Sequence, residues 1–367
     1  MLHEEHLYSI ALRATPLIGD VNFMRLVEIT GSAKETWHLS KKLLIEIPGI
    51  GSKITKEIGN EKYLKFAEKE IDFCEKNNIK INLRHLKELP KLLSNCDDAP
   101  AILYQKGSLD ESLTPISIVG TRNMTSYGKH FIEEFLEILK NKKVLIVSGL
   151  ALGTDGCAHT EALKNQLKTA GVLAHGLHLI YPSQHKKLAA EILEQDGALL
   201  TEFNSSDKPD REHFLQRNRI VAGFSPVTIV VETAFGGGSM STVSYANDYN
   251  REVFALPGKI NDKYSQGCNL LIAQNKARIL QNFEEILDEL QLGKEKEKIG
   301  SLFAAREIKL SKDLQPIYDT IASQSQISLD DLSEKLDIPP YKLLPILLDF
   351  ELKGYIKALS GKQYSII

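Results

Sequence analysis

Cysteine is scarce: the 367 residues include four, Cys74, Cys96, Cys157 and Cys268, and no two stand in CxxC spacing. Neither a zinc site nor a disulfide framework is signalled. Reduced structural thiols in a cytoplasmic chain fit that usage. Long apolar runs are missing, since none approaches the ~20 residues that cross a bilayer. The opening MLHEEHLYSI has two Glu and no basic start, so no signal peptide is expected. An excess of one charge is missing too, with 45 Lys+Arg against 48 Asp+Glu. That balance excludes a histone-like coat of positive charge and leaves room only for a local basic patch. Hydrophobic content of 43% and charged content of 25% are those of a globular protein and exclude a disordered or collagen-like chain. At roughly 150 residues per domain the length suggests two or three domains.

The texture changes twice along the chain. From 1 to about 90 the pattern is helical: Leu7, Ile10, Ala11 and Leu12 start one apolar stripe. Phe23, Leu26, Val27 and Ile29 form another, ended by Gly31. From about 115 to 290, short apolar runs at 116–119, 144–147, 170–174, 198–200, 227–231 and 253–256 alternate with helix-like stretches such as 128–140, 156–167 and 184–195. This alternation predicts a parallel sheet with helices on both faces. The polar run GKEKEKIGS (293–301) starts a linker. Residues 311–367 are again helical and end in two short segments, 355–357 and 363–366, around Ser360 and Gly361. Helices followed by a hairpin suggest a winged-helix module. The expected organisation is a helical domain at 1–90, a Rossmann-like domain at 91–292, a linker at 293–310 and a winged-helix-like domain at 311–367.

Residues 44–58, LIEIPGIGSKITKEI, resemble a helix-hairpin-helix. The glycines let the backbone turn sharply and leave N–H groups outward for a phosphate, with Lys53 and Lys56 adding charge. Such hairpins also serve as packing elements, and both roles stay open.

The central segment carries several anion-binding signals at strand ends, where an open parallel sheet binds its ligands. ISIVGTR (116–122) ends a strand at Gly120 and supplies Arg122, a bidentate phosphate donor; a salt bridge is its alternative. VLIVSGLALGTDGCAH (144–159) ends a strand at Ser148 and Gly149 and places Asp155 and His159 four apart on one helix face. Those two are an acid–base pair, or a cap and a buried contact. Lys186 and Lys187 follow a Tyr-Pro turn, as phosphate ligands or as solvated helix charges. PDREHFLQRNR (209–219) interleaves Arg211, Arg217 and Arg219 with Phe214, a pattern suited to holding phosphates and stacking a base. Alternatively, Arg217 and Arg219 pair with Glu202 and Glu232 in the core. FGGGSMST (235–242) forms a possible anion nest through Gly237, Gly238 and Ser239. It is neither a Walker loop nor GxGxxG.

Together, VGTR (119–122), SGLALGTDGCAH (148–159), HGLHLIYP (175–182), FLQRNRI (214–220), GGGSMSTVSYA (236–246) and REVFALPG (251–258) resemble the DprA/Smf family of DNA-processing proteins. The resemblance covers about 115–285, and the flanks match more loosely. It implies an α/β, extended Rossmann-like core with a helix-hairpin-helix (SAM-like) domain before it and a winged-helix-like domain after it. It also implies a protein with no established catalytic reaction, metal or cofactor. Such a protein binds and protects incoming single-stranded DNA in natural transformation and loads the RecA recombinase onto it. The implied DNA contacts are Arg122, Lys186, Lys187 and the segment holding Arg211, Phe214, Arg217, Asn218 and Arg219. The chain departs from the family pattern at Thr154, at His178, which stands where Asp is usual, and at Gly237, Gly238, Ser239 and Met240. Family self-association near the end of this domain, with an apolar patch at Leu271, Ile272, Ile279 and Leu280, points to a homodimer.

The competing class is a nucleotide-processing enzyme of a Rossmann-like hydrolase type, with Asp155, His159, Glu202 and Glu232 as acid–base candidates. A third reading, transcription regulation through the tail, is weakened by YKLLPILLDFELK (341–353), which is mostly apolar.

Overall fold

The computed structural model of the chain describes residues 2–292, 310, 314–324, 326–353, 355–359 and 363–366. Six helices come first: α1 (Leu2–Arg13), α2 (Asp20–Thr30), α3 (Ala33–His38), α4 (Lys41–Glu46), α5 (Ser52–Glu57) and α6 (Glu61–Lys76). Gly31 ends α2 at φ 96°, a left-handed cap that glycine adopts without a Cβ penalty. One residue on, the Ser32 hydroxyl accepts from the Glu35 N–H at 3.0 Å and starts α3. The α4–α5 turn buries Ile47, Ile50, Ile54 and Ile58 in the helical core, while Lys53 and Lys56 face solvent.

The sheet and its helices follow as β1 (Ile79–Leu83), α7 (Lys91–Ser94), β2 (Ile102–Gly107), β3 (Thr114–Val119), α8 (Ser126–Ile138), β4 (Val144–Ser148), α9 (Thr154–Lys164) and β5 (Lys168–Val172). The chain continues through α10 (Lys186–Glu194), β6 (Ala198–Thr201), α11 (Arg211–Phe224), β7 (Val227–Val230), α12 (Ser239–Asp248), β8 (Glu252–Ala255), α13 (Gln266–Ala273), β9 (Arg278–Ile279) and α14 (Glu284–Glu289). The strand order is β1-β2-β6-β5-β4-β3-β7-β8-β9. All six expected strands are present, and they pair in parallel. The sheet is nevertheless mixed, because β2 pairs antiparallel with both β1 and β6.

Side chains alternate across the sheet. Ile116, Ile118, Ile146 and Ile229 face α8 and α9, whereas Val119, Val147, Val172 and Val230 face α11 and α12. The expected boundary near 90 meets a continuous core: Ile81, Leu83, Ile102 and Tyr104 pack with Ile10, Phe23 and Ile71. The first segment is thus helices plus an edge strand, and the chain divides into two compact units, Met1–Lys294 and Glu295–Ile367.

In the second unit, α15 (Gln315–Ala322), β10 (Ile327–Ser328), α16 (Leu329–Leu336), α17 (Pro340–Leu352), β11 (Ile356–Leu359) and β12 (Gln363–Ile366) surround a core that includes Ile317, Leu332, Leu347 and Phe350. The strands β11 and β12 form the expected antiparallel pair, with β10 on the other side of β12. The expected turn residues Ser360 and Gly361, and the linker start at 293–301, lie outside the described residues.

Candidate nucleic-acid interface

The strands β4, β5 and β6 run to one side of β3 and β7 to the other, so the strand order reverses beside β3. A crevice opens at such a reversal, outside the carboxyl ends of the strands. Here it is a cleft of about 910 Å³. It gathers Gly120 and Arg122 after β3, Gly149 after β4, Arg211, Phe214, Arg217 and Asn218 from α11, and Gly237, Gly238 and Ser239 before α12. Ten of the fourteen residues expected at the DNA site therefore line one cleft.

Arg217 lies flat on Gly149: a Cβ there would stand 1.8 Å from its Nη1. The guanidinium is buried, donates from Nη1 to the Val172 carbonyl at 2.7 Å and keeps an unpartnered Nε. Asp155 is buried, lines the same cleft and supplies the opposing charge. Burial pushes the Asp155 carboxyl above its usual range, against the pull of Arg217. Arg122 is exposed and joins no ion pair among the described residues. Its guanidinium carbon stands 5.0 Å from the centre of the Phe214 ring, and that of Arg217 stands 5.9 Å away. Across the cleft, Gly236 takes φ 67° and the N-terminus of α12 follows. The Asn218 amide donates to Ser241 Oγ at 2.9 Å and to the Gly238 carbonyl at 3.2 Å, tying α11 to this loop.

Four expected contacts lie elsewhere. Ser148 is buried and donates to the Ile118 carbonyl at 2.6 Å, so it locks β4 to β3. Arg219 is buried on the other flank of α11, in an ion-pair cluster with Glu202 and, at 3.1 Å, Asp20. Lys186 and Lys187 sit on the exposed first turn of α10, and Lys187 pairs with Glu191 at 3.4 Å. Neither lines the cleft. The alternative pairing of the arginines holds for Arg219 with Glu202 but not for Glu232. Glu232 instead accepts from the Thr125 N–H at 2.8 Å and from its hydroxyl, holding the residue that caps α8.

Of the acid–base candidates, Asp155 lines the cleft and His159, Glu202 and Glu232 do not; His159 Nε2 and Glu202 Oε1 are buried without a partner. His159 is buried, its Nδ1 lies 2.7 Å from Thr169 Oγ1, and burial lowers its pKa to about 3. It is neutral at any physiological pH. Burial raises the Glu202 carboxyl above its usual range, with Arg219 pulling the other way. Among the described residues no group of three His, Cys, Asp or Glu side chains is placed to hold a metal ion. No described helix is long and apolar enough to cross a membrane.

One cleft residue, and one exposed aromatic in the loop beside it, escaped the sequence reading. Tyr181, read only as a turn former, puts its ring 6.0 Å from Phe214. The exposed Phe235 sits next to Gly236 in the loop before α12. Aromatic residues in polar strand-end loops are the signal in both cases. Of the apolar patch, Leu271 and Leu280 are buried in the domain's own cores, which removes them from an interface. Ile272 is half-buried against the same core as Leu271, and Ile279 on β9 is exposed.

A cleft walled by glycines and arginines at the reversal point of a Rossmann-like sheet, with a winged-helix unit later in the chain, defines a Rossmann-like binding protein with a winged-helix module. The family model for DNA recombination-mediator protein A matches residues 80–291, and that for the DprA winged helix domain matches 303–362. Protein Smf of Escherichia coli (strain K12) is 37% identical over 280 residues, which cover 74% of this chain and 73% of that one. The X-ray structure of DNA processing protein A from Streptococcus pneumoniae aligns at a TM-score of 0.65 and 29% identity, over 77% of this chain and 97% of that one. DNA processing protein A from Helicobacter pylori, solved for its single-stranded DNA binding mode, aligns at 0.52 and 30% identity, over 58% of this chain and 95% of that one. The chain belongs to the DprA/Smf family of DNA-processing proteins.

Proposed function

We propose that this chain binds single-stranded DNA in the cleft and, in the cytoplasm, protects incoming strands and passes them to a RecA-type recombinase. The observation that carries the first part is the stack of Arg122 on Phe214 above the buried Arg217, opposite a glycine-rich helix N-terminus. Cations there meet phosphates, and the ring and guanidinium planes meet bases. The single-strand binding named for the Helicobacter pylori relative supports the same reading. Handing DNA to a recombinase rests on family membership alone. His159, Glu202 and Glu232 lie outside the cleft and leave Asp155 there without a partner base, which favours binding over nucleotide hydrolysis. Self-association through the edge strand β9, where Ile279 is exposed, completes the proposal and would raise avidity for one long strand.

Arg122→Ala tests it. The variant should fold as wild type by circular dichroism and bind oligo-dT more weakly. Losing one phosphate contact should also make the log–log salt slope shallower by about 0.7. Unchanged affinity across a salt titration overturns the assignment. Turnover of nucleoside monophosphates by the wild type, with no shift of oligo-dT, favours the hydrolase.

A further inference from the structure

The last long helix of a winged-helix unit ordinarily enters the major groove, and its outer face is polar and basic. The outer face of α17 is neither. Tyr341, Leu344, Leu348 and Leu352 are 69, 45, 57 and 80% exposed. At about 100° per residue they fall on one stripe, opposite the buried Leu343, Leu347 and Phe350. Such a contiguous apolar stripe on a small unit marks an interaction site.

Charge says what covers it. By helical spacing Asp349 and Glu351 border the stripe, one on each side; Lys342 is the single cation between Pro340 and Leu352. Asp349 pairs with Lys353 at 2.7 Å, and Glu351 is exposed. The preceding helix α16 carries exposed Asp330, Asp331 and Glu334 against one exposed cation, Lys335. Residues 311–367 hold eight Asp and Glu against six Lys and no Arg. A surface of that sign repels a phosphate backbone and attracts cations at its margins.

We propose that the outer face of α17 docks a partner protein through a basic amphipathic helix, whose apolar side covers Leu344, Leu348 and Leu352 and whose Lys or Arg residues meet the carboxylates beside them. The mode is one helix laid along another's apolar stripe, read as anchors at i, i+4 and i+8. It is independent of the single-strand reading of the cleft.

The test uses the full chain and two labelled synthetic helices with the same leucine stripe, one flanked by Lys and Arg, the other by Glu. Fluorescence polarisation should show the basic helix binding at least tenfold tighter. Leu348→Asp should abolish that difference by losing the basic helix, with melting unchanged. Glu351→Lys should narrow the gap between the peptides. If Leu348→Asp does not fold, Leu352→Asp, at the most exposed position, replaces it. Equal binding of both helices, binding of neither, or full binding to the folded variant overturns the proposal. Loss of duplex-DNA binding in Leu348→Asp would make the face a nucleic-acid surface. Conversion of a wild-type dimer to a monomer by the same change would assign the face to a second copy. Either result overturns it.

Discussion

At Phe214 the ring is half-buried, outside every apolar core cluster of the described residues, and held between Arg122, Arg217 and Tyr181. A core phenylalanine would unfold the domain on truncation; this one lines a cleft. Phe214→Ala should weaken oligo-dT binding by about 1–3 kcal/mol and leave the melting temperature nearly unchanged. Arg122 and Phe214 touch, so their effects should not add. The double variant should lose less than the sum of the singles, by about 0.5–3 kcal/mol. Additive losses in a full cycle would show that the guanidinium and the ring act separately. Loss of stability parallel to loss of binding would return Phe214 to the core.

The helix α11 works with two flanks. Arg217 and Arg219 are two residues apart, which places them about 200° apart around a helix. One faces the cleft, and the other closes the cluster with Asp20, Glu202 and the Asp98 carbonyl. Removing a single partner from a buried pair leaves an uncompensated charge and costs about 3–5 kcal/mol. Arg219→Leu should therefore lower the urea midpoint sharply, and adding Glu202→Leu should restore part of it. Arg122→Ala should leave the midpoint unchanged. A stable Arg219→Leu that merely binds DNA less well would return Arg219 to the interface. A second tie joins α6 to the loop after β6: Glu70, buried, accepts from the Ser205 N–H and hydroxyl at 2.8 and 2.5 Å. Burial raises its pKa, and the Ser205 bonds oppose that. The native state thus holds this proton to higher pH than the unfolded chain. Its stabilisation is full below the ordinary carboxylate pKa and is lost as pH rises through the raised one. Stability of wild type relative to Glu70→Gln should fall as pH rises from about 4; a constant difference in melting temperature would refute this. Most of this element-level structure was legible. Apolar runs of strand length ending in Gly or Ser gave six strands, and Gly31 gave a helix end. The strands β1, β2 and β9 were not, although before β1 Asn78 at φ 52° stops the helical pattern and IKINL alternates with period two. The five residues of β1 were absorbed into the helical reading of 1 to about 90. The arginines were grouped by nearness in sequence, which helical geometry overrules.

For the whole molecule, net charge hides the site, because folding concentrates cations from two separate chain positions, after β3 and in α11, at one cleft of a chain that is acidic overall. Every cleft-lining residue lies between Val119 and Thr242, within the first unit. The helical segment belongs to that unit physically: it supplies Asp20 to Arg219 and Glu70 to Ser205, and it covers Ile81, Ile102 and Tyr104 at the antiparallel end of the sheet. A cut at 294 and a cut before β1 should therefore differ. Residues 1–294 alone should melt cooperatively and bind oligo-dT within about twofold of the full chain, a difference of about 0.4 kcal/mol. Residues 79–367 should aggregate, since an apolar sheet face would be bared and Arg219 would lose a partner. Expression of both, followed by thermal melts and an oligo-dT titration, decides. A soluble 79–367 with full affinity would show that the helical segment is an independent domain, with the boundary near 90 that its sequence pattern suggests.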